Sequence, residues 1–363
     1  MRTFQSAALL AGMLLTAACT DRDPMGINLK ADAPARSISV MTWNVYVGTD
    51  VDAILLALAD PDPDNDLPTL LAQLDTLFLN DWSARAAAIA DEIAKRRPHA
   101  VGLQEISTFD LSAVGFTPLE FLPVLEDALV ARGLNYLVAD KVLNIVAEPL
   151  PGLTLEDYDV LLLDADRVTV IDVEARTFAL NLVDLIGPVG GIALRRGFVK
   201  AEVDIDGEAY TIVSTHPEPD LFGYDFSDLR AAQAMEIVAE VGDAASAIVM
   251  GDLNDDPGTP MYQVFAAAGF VDAWSELRPG VVGFTCCHLS SLSNGTAVGH
   301  FDERIDYVLV RGIGHPVAGL QGRIDILGNV PADRVNGPAY RIWPSDHAGL
   351  AGTFIDPPAR GYN

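Results

Sequence analysis

The chain has 363 residues, half of them hydrophobic, and its 51 acidic and 23 basic side chains give a formal net charge of −28. A protein that grips nucleic acid through the phosphate backbone needs a basic face, so this balance argues against tight, sequence-independent binding of DNA or RNA. It leaves room for action on a small or weakly held anionic substrate, and an acidic surface by itself also favours solubility.

The N-terminus has the pattern of a targeting segment. Arg2 supplies a basic start, an apolar run follows over 6–18, and small residues precede Cys19. This resembles a bacterial lipoprotein signal, which implies cleavage before Cys19 and lipidation of its thiol; an ordinary signal peptide cut near Ala18 is the alternative. We expect residues 1–19 to be the signal and 20–36 a tether, which places the protein lipid-anchored in the bacterial cell envelope, periplasmic or extracellular.

Residues 37–355 predict one α/β catalytic domain followed by a tail over 356–363, because no stretch inside the domain has the composition of a linker. Buried strands are expected over 37–45 and 100–104. An amphipathic helix over 83–97, with Ser83 as its N-cap, separates them and completes an α/β unit.

The remaining elements alternate in the same way, after a helical surface insert over 48–81. Two mixed β-sheets packed face to face and covered by helices accommodate this alternation. The further predicted helices are 119–132, 229–241 and 261–268, and the further predicted strands are 136–139, 159–163, 167–173, 191–194, 210–213, 247–250 and 305–310.

Polar side chains recur where these buried runs end, and each of them alone could equally be a turn, cap or surface residue. Together they supply the oxygen ligands and the pair of imidazoles that a hard divalent cation and an activated water require. This recurrence indicates an enzyme. The candidate residues are Asn44, Glu105, His216, Asp252, Asn254, Asp306, Asp346 and His347.

Three of the candidates have a chemical reading of their own. Asp252 and the carboxamide of Asn254 are two residues apart after a buried run, so in an extended chain they point the same way and can orient a water. Glu105 follows an apolar run, where a bare carboxylate is costly unless it is paired or bound to a metal.

The order of the motifs resembles the endonuclease/exonuclease/phosphatase superfamily over nearly all of residues 38–355. The resemblance implies a four-layer α/β sandwich and hydrolysis of a phosphodiester or phosphomonoester by attack of a metal-activated water. The motifs are Trp43-Asn44, Leu103-Gln104-Glu105, Thr215-His216, Gly251-Asp252-x-Asn254, Arg304-Ile305-Asp306 and Ser345-Asp346-His347.

The resemblance also implies a cofactor and its ligands. Glu105 would be the principal ligand of Mg²⁺, with Asn44 and Asp346 close to the metal or its waters. Mn²⁺ is an alternative ion, and the number of ions stays open.

The catalytic roles follow from the same resemblance. His347, oriented by Asp306, would activate or position the attacking water. Asp252 and Asn254 would hold the scissile phosphate and the nucleophile, and His216 would contact the phosphate and help to protonate the leaving oxygen.

The acidity of the chain favours a small-molecule or lipid phosphoester over nucleic acid as the substrate, with the membrane reached through the lipid anchor. A secreted nonspecific endonuclease is the alternative, since such an enzyme needs few phosphate contacts. A catalytically inactive binding module on the cell surface is an alternative of another class. No protein partner is predicted.

Cys286 and Cys287 are adjacent, so they form either a vicinal disulfide or a pair of thiols. A zinc site with His288 is conceivable. It is disfavoured because the paired cysteine spacing typical of zinc sites is absent.

Overall fold

The computed structural model describes residues 36–357 except 61, 299 and 315–318. The predicted signal with its lipidated Cys19, nearly all of the tether and most of the tail lie outside the described residues, so they stay predictions. In the part that is described, no helix is both long and apolar enough to cross a membrane.

Strands make up most of the regular structure. In chain order they are β1 (Arg36–Asn44), β2 (Ala100–Asp110), β3 (Leu119–Glu120), β4 (Tyr136–Leu150), β5 (Leu153–Asp164), β6 (Thr169–Thr177), β7 (Gly197–Ile205), β8 (Glu208–Thr215), β9 (Ala247–Asp252), β10 (Val271–Asp272), β11 (Asp306–Arg311), β12 (Gly322–Leu327), β13 (Val335–Asn336), β14 (Arg341–Ile342) and β15 (Gly349–Asp356). The helices are α1 (Val51–Ala59), α2 (Asp66–Leu79), α3 (Trp82–Arg96), α4 (Phe121–Val130), α5 (Leu182–Ile186), α6 (Ser227–Val241), α7 (Pro260–Ala267) and α8 (Ala273–Leu277).

The strands form two large mixed sheets. The first has the order β12-β15-β1-β2-β5-β4, with β3 added to β2, and the second has the order β10-β11-β9-β8-β7-β6. The pairs β1–β2 and β8–β9 run parallel. The predicted pair of mixed sheets flanked by helices is confirmed.

Alternation along the strands builds the layers. In β1, Ile38 and Val40 belong to the core between the sheets, together with Met250 of β9, whereas Met41 and Trp43 belong to the core under the helices of the first sheet. A third core lies between the outer face of the second sheet and helices α6 and α7. Successive side chains of a strand point to opposite faces, so the two inner faces share one apolar interior.

The same alternation brings the polar strand ends together. Val40, Met250 and Val308 all lie between the sheets. Asn44, Asp252 and Asp306 stand an even number of residues from them on the same strands, so their side chains point to the same inner face. These polar residues therefore occupy one rim of the sandwich.

Several predicted elements are corrected. The helix predicted over 83–97 begins at Trp82, because Asp81 rather than Ser83 is the N-cap and accepts a hydrogen bond from the backbone of Ala84. The helix predicted over 119–132 is shortened to α4, since its first two residues pair with β2 as β3. The strand predicted over 191–194 is absent and only an isolated bridge at Ile192 remains there. The strand β15, which lies beside β1, was not predicted.

Candidate active site

Glu105 is aimed into the site by an irregularity in its strand. The strand predicted to end at Gln104 continues to Asp110, and its register with β5 shifts so that Gln104 and Glu105 together stand opposite Asp159. A bulge of this kind re-aims a side chain. Glu105 also has a φ of +61°, a left-handed backbone that costs a non-glycine residue about 1 kcal/mol or more.

Other residues with a left-handed backbone line the same cavity as Glu105. Tyr46 with a φ of +64° and Asn254 with a φ of +52° line it together with Glu105. Strained residues that the surrounding fold holds in place are typical of functional sites.

Asn44 ties two carboxylates together. Its amide nitrogen donates to Oε1 of Glu105 at 2.8 Å and to Oδ2 of Asp252 at 3.0 Å, while its Oδ1 accepts from the backbone of Tyr46 at 3.0 Å. The backbone N–H of Val47 donates to the other oxygen of Glu105 at 2.7 Å. Asn44 therefore positions Glu105 and Asp252.

His347 is held between two acidic residues. Its Nδ1 lies 3.0 Å from Oδ2 of Asp306, and its Nε2 lies 3.7 Å from Oδ2 of Asp252. The hydroxyl of Ser345 donates to the backbone oxygen of Asn44 at 2.6 Å and fixes the start of this loop against β1. Burial lowers the pKa of His347, but Asp306 and Asp252 outweigh burial and hold the pKa well above its ordinary value.

His216 stands on the other side of Asp252. Its Nε2 lies 3.4 Å from Oδ2 of Asp252, and its Nδ1 lies 3.4 Å from Oδ1 of Asp159 and 3.0 Å from a guanidinium nitrogen of Arg196. Burial and Arg196 lower the pKa of His216, but the hydrogen bonds to Asp159 and Asp252 outweigh them and raise the pKa to about 10.

Asp252 thus lies at the centre of the site, in contact with both histidines and with Asn44. Burial raises its pKa, but His347, His216 and Asn44 outweigh burial and hold the pKa below its ordinary value, so Asp252 is ionised. Its Oδ1 accepts from the backbone N–H of Asn254 at 3.0 Å. The Asn254 amide nitrogen donates to the backbone oxygen of Pro217 at 3.0 Å, so the Asn254 side chain is fixed beside the His216 loop.

One cavity of about 300 Å³ collects six of the predicted residues. Asn44 and Asp306 are fully buried and lie behind its wall, in contact with residues that line it. The predicted residues that line the cavity are Glu105, His216, Asp252, Asn254, Asp346 and His347.

The sequence analysis did not predict the acidic side chains on one wall of the cavity, nor the arginine among them. Asp157 and Glu218 line the cavity, and so does Arg196, whose Nε lies 3.9 Å from Glu218. Asp159 is fully buried behind them, and its Oδ1 faces Nδ1 of His216 at 3.4 Å. The signal was present in the sequence, since Asp157 and Asp159 are two residues apart at the start of a buried run, as Asp252 and Asn254 are at the end of one.

The donor set fits a hard divalent cation. Burial raises the pKa of Asp346; the charge on His347 opposes this, and Glu105 raises it further, to about 7. Ligand atoms of Asp252, Asp306 and His347 also lie within 4.8 Å of one another. Carboxylates crowded together in a buried site raise each other's cost of ionisation, and a bound cation relieves that cost.

The cysteine pair lies against the same imidazole. The sulfur atoms of Cys286 and Cys287 lie 3.6 and 3.7 Å from Nε2 of His347. The histidine next to the pair in space is therefore His347, whereas Nδ1 of His288 pairs with Asn294 at 2.7 Å.

The sequence profile of the endonuclease/exonuclease/phosphatase family matches residues 41–347, a span that runs from β1 to His347. The chain belongs to this family. Its members hydrolyse phosphoester bonds and typically depend on a divalent metal.

Solved structures share the fold at low sequence identity. An endonuclease/exonuclease/phosphatase family protein of Bacteroides thetaiotaomicron is 15% identical over 89% of this chain and 99% of its own, with a TM-score of 0.56. A mannosyl-6-phosphatase of the same organism is 16% identical over 88% and 99%, with a TM-score of 0.53. TDP2 of D. rerio, complexed with a single-stranded DNA product, is 17% identical over 88% and 98%, with a TM-score of 0.53. No curated protein sequence matches the chain.

Proposed function

We propose that this protein is an exported, metal-dependent phosphoesterase that cleaves a phosphodiester or a phosphomonoester by direct attack of water. One observation carries the proposal: Asp252 contacts His216, His347 and Asn44 at once, and Asn44 joins it to Glu105. An ionised carboxylate between two imidazoles, in a cavity with metal-binding groups, can deprotonate a water and position it in line with a phosphorus atom.

The metal would be held at the Glu105 side of the cavity. Glu105 and Asp346 would be its ligands, and Asn44 orients Glu105 through its amide nitrogen. A bound Mg²⁺, or Mn²⁺, supplies positive charge to the phosphoryl oxygens as negative charge builds up on them.

The other residues handle protons and position. Asp306 engages Nδ1 of His347, which leaves Nε2 toward Asp252 and the cavity. His216, whose pKa is raised to about 10, keeps a proton near neutral pH and can give it to the leaving oxygen. Asp252 accepts the proton of the attacking water, so the proton count balances over the reaction.

The lining of the cavity supports a small or lipid phosphoester over a nucleic acid. Its charged groups are mostly carboxylates, which repel a polyanion; they belong to Asp50, Asp52, Glu105, Asp157, Glu218, Asp252 and Asp346. Relatives in fold include both a mannosyl-6-phosphatase and a protein complexed with a single-stranded DNA product, so the fold alone favours neither substrate.

We also propose that the protein is anchored in the bacterial cell envelope through lipid on Cys19. The small residues before Cys19 support this. Labelled fatty acid should be incorporated into the wild type and not into Cys19→Ala, and the variant should leave the membrane fraction. Equal labelling of both proteins would contradict lipidation at Cys19.

The catalytic proposal is tested with the purified protein in Mg²⁺ or EDTA. Plasmid nicking, release of a lipid head group and hydrolysis of small phosphodiesters and phosphomonoesters are measured in parallel. Turnover on one class should require the metal and be lost in Glu105→Ala, whereas Glu120→Ala, at an exposed position of β3, should retain it. Metal-dependent nicking alone would favour the endonuclease, and silence of a folded protein on all substrates would favour the binding module.

A further inference from the structure

A wholly apolar groove of about 100 Å³ lies beside the candidate active site. Helices α1 and α2 form one wall, and the β4–β5 hairpin with the end of β2 forms the other. The residues that define it are Leu55, Leu70, Leu74, Leu77, Ile145 and Leu155. Among the described residues that line it, the polar side chains are threonines and a glutamine, and none is charged.

The groove is continuous with the catalytic cavity. Thr49, Val51, Leu55, Ile145 and Leu155 line both of them. A molecule whose phosphate lies against the metal-binding and histidine side chains can therefore extend an apolar part into the groove without crossing solvent.

The outer end of the groove exposes large apolar side chains. Leu67 is 53% exposed, Leu71 is 54% exposed and Val114 is 46% exposed, and all three line the groove. Beside this end, the half-exposed rings of Phe78 and Phe116 pack against each other at an interplanar angle of 44°, with centroids 4.9 Å apart. Exposed apolar groups gathered in this way mark a binding surface.

We propose that the groove binds the alkyl or acyl chain of the substrate, which makes the substrate class an amphiphilic, lipid-like phosphoester. The inference rests on the proposed function, because the catalytic site fixes the position of the phosphate. A sugar or a nucleobase in the groove would leave its polar atoms without partners, which costs free energy, whereas a hydrocarbon chain loses none. Continuity with the catalytic cavity selects a chain covalently attached to the phosphoester over an unrelated apolar partner.

The length of the substrate's alkyl chain is the variable to test. The kcat/KM of the purified protein with Mg²⁺ is measured on alkyl 4-nitrophenyl phosphodiesters and on alkyl phosphates with methyl, butyl and octyl chains, below their micelle concentrations. Each methylene that enters the groove should raise kcat/KM roughly fourfold until the groove is filled. Leu71→Asp should flatten this dependence and leave the methyl substrate unaffected.

The protein offers a matched control for Leu71→Asp. Leu56 belongs to the same pair of helices, is 52% exposed and does not line the groove, so Leu56→Asp should keep the full dependence on chain length. Turnover of the methyl substrates with no gain for longer chains would overturn the groove assignment and leave the phosphoesterase intact.

A binding measurement separates the two proposals if nothing is turned over. Decyl phosphate should bind more tightly than methyl phosphate in calorimetry, with a negative heat-capacity change, and Leu71→Asp should remove that preference. This result without turnover would support the groove and contradict the catalytic proposal. Equal affinity for the two phosphates would overturn the groove, as would tighter binding of decyl phosphate that Leu71→Asp leaves unchanged.

Discussion

Oδ2 of Asp306 lies 3.0 Å from Nδ1 of His347 and joins the first residue of β11 to the loop between β14 and β15. Asp306 is completely buried, and its other carboxylate oxygen has no hydrogen-bond partner among the residues that the structure describes. The pair therefore fixes the imidazole, because Nδ1 is engaged and only Nε2 is left for the cavity.

Replacing Asp306 by asparagine should disable the enzyme without unfolding it. The amide keeps the size of the side chain but removes the charge that holds the Nδ1 proton, so kcat should fall by about 10²–10⁴-fold. Kinetics on the active substrate class measure the loss, and circular dichroism checks the fold. Asp325→Asn, at a half-exposed ion pair of β12 with Arg278, is the control and should retain activity. Wild-type kcat in Asp306→Asn would remove His347 orientation from the mechanism.

Binding of Mg²⁺ should stabilise the fold, and Glu105 should be required for the effect. At a hundred times its dissociation constant the ion should raise the free energy of unfolding by about 2.7 kcal/mol, since it binds only the folded state. Urea titrations with Mg²⁺ and with EDTA measure the difference. Glu105→Gln should abolish it. Glu218→Gln, which replaces a carboxylate that faces Arg196 in the same cavity, should preserve it. A full response in Glu105→Gln would place the metal elsewhere.

The candidate site residues could be singled out from the sequence because each stands at one end of an apolar run. The side chains of Asn44, Asp252 and Asp306 point to the inner face of their sheets. Because side chains alternate along a strand, this direction follows once the buried face is known. Their convergence needed the sheet order, since β1, β9 and β11 belong to two different sheets. Local sequence does not encode which strands become neighbours, so only the ordered resemblance supplied that step.

The parts that sequence reasoning missed depend on tertiary contacts. The bulge at Glu105 leaves no mark in the sequence, because the left-handed φ of Glu105 is imposed by the pairing of β2 with β5. Arg196 directly follows Arg195 in the sequence, yet it is buried against His216 and Glu218. A buried charge is recognised only when its partners are known, and here they come from the loop that follows β8.

Asp159 should control the protonation of His216. Replacing it by asparagine removes a hydrogen bond that raises the pKa of His216 from its ordinary value to about 10, so that pKa should fall by about one unit or more. NMR titration of the imidazole in the metal-free protein measures the shift. If His216 protonates the leaving group, the alkaline limb of kcat/KM should move to lower pH in the same variant.

Asp157→Asn provides the matched control for that titration. Asp157 is also buried and lines the same cavity wall, but its carboxylate accepts from Ser107 at 2.7 Å instead of facing His216. The pKa of His216 should therefore change less in Asp157→Asn than in Asp159→Asn. Equal shifts in both variants would mean that the general field of the wall, and not the Asp159 contact, sets the pKa.

His99, just before β2, should make the fold sensitive to acid. Burial and the charge of Arg167 lower its pKa to about 4, below the ordinary value of about 6.5 in the unfolded chain. The unfolded state therefore takes up the proton first. The stability that neutral His99 contributes is complete above pH 6.5 and is lost as the pH falls toward 4.

Comparison with His99→Gln isolates this contribution. The glutamine can still accept the hydrogen bond that the backbone of Ser39 donates to Nδ1 at 3.0 Å, but it does not titrate. Between pH 7 and pH 5 the wild type should lose about 1 kcal/mol more free energy of unfolding than the variant, a value reduced from the full linkage effect because solvent screens the Arg167 side of the ring. Urea unfolding at both pH values measures the difference, and parallel losses in the two proteins would show that His99 is not the titrating group.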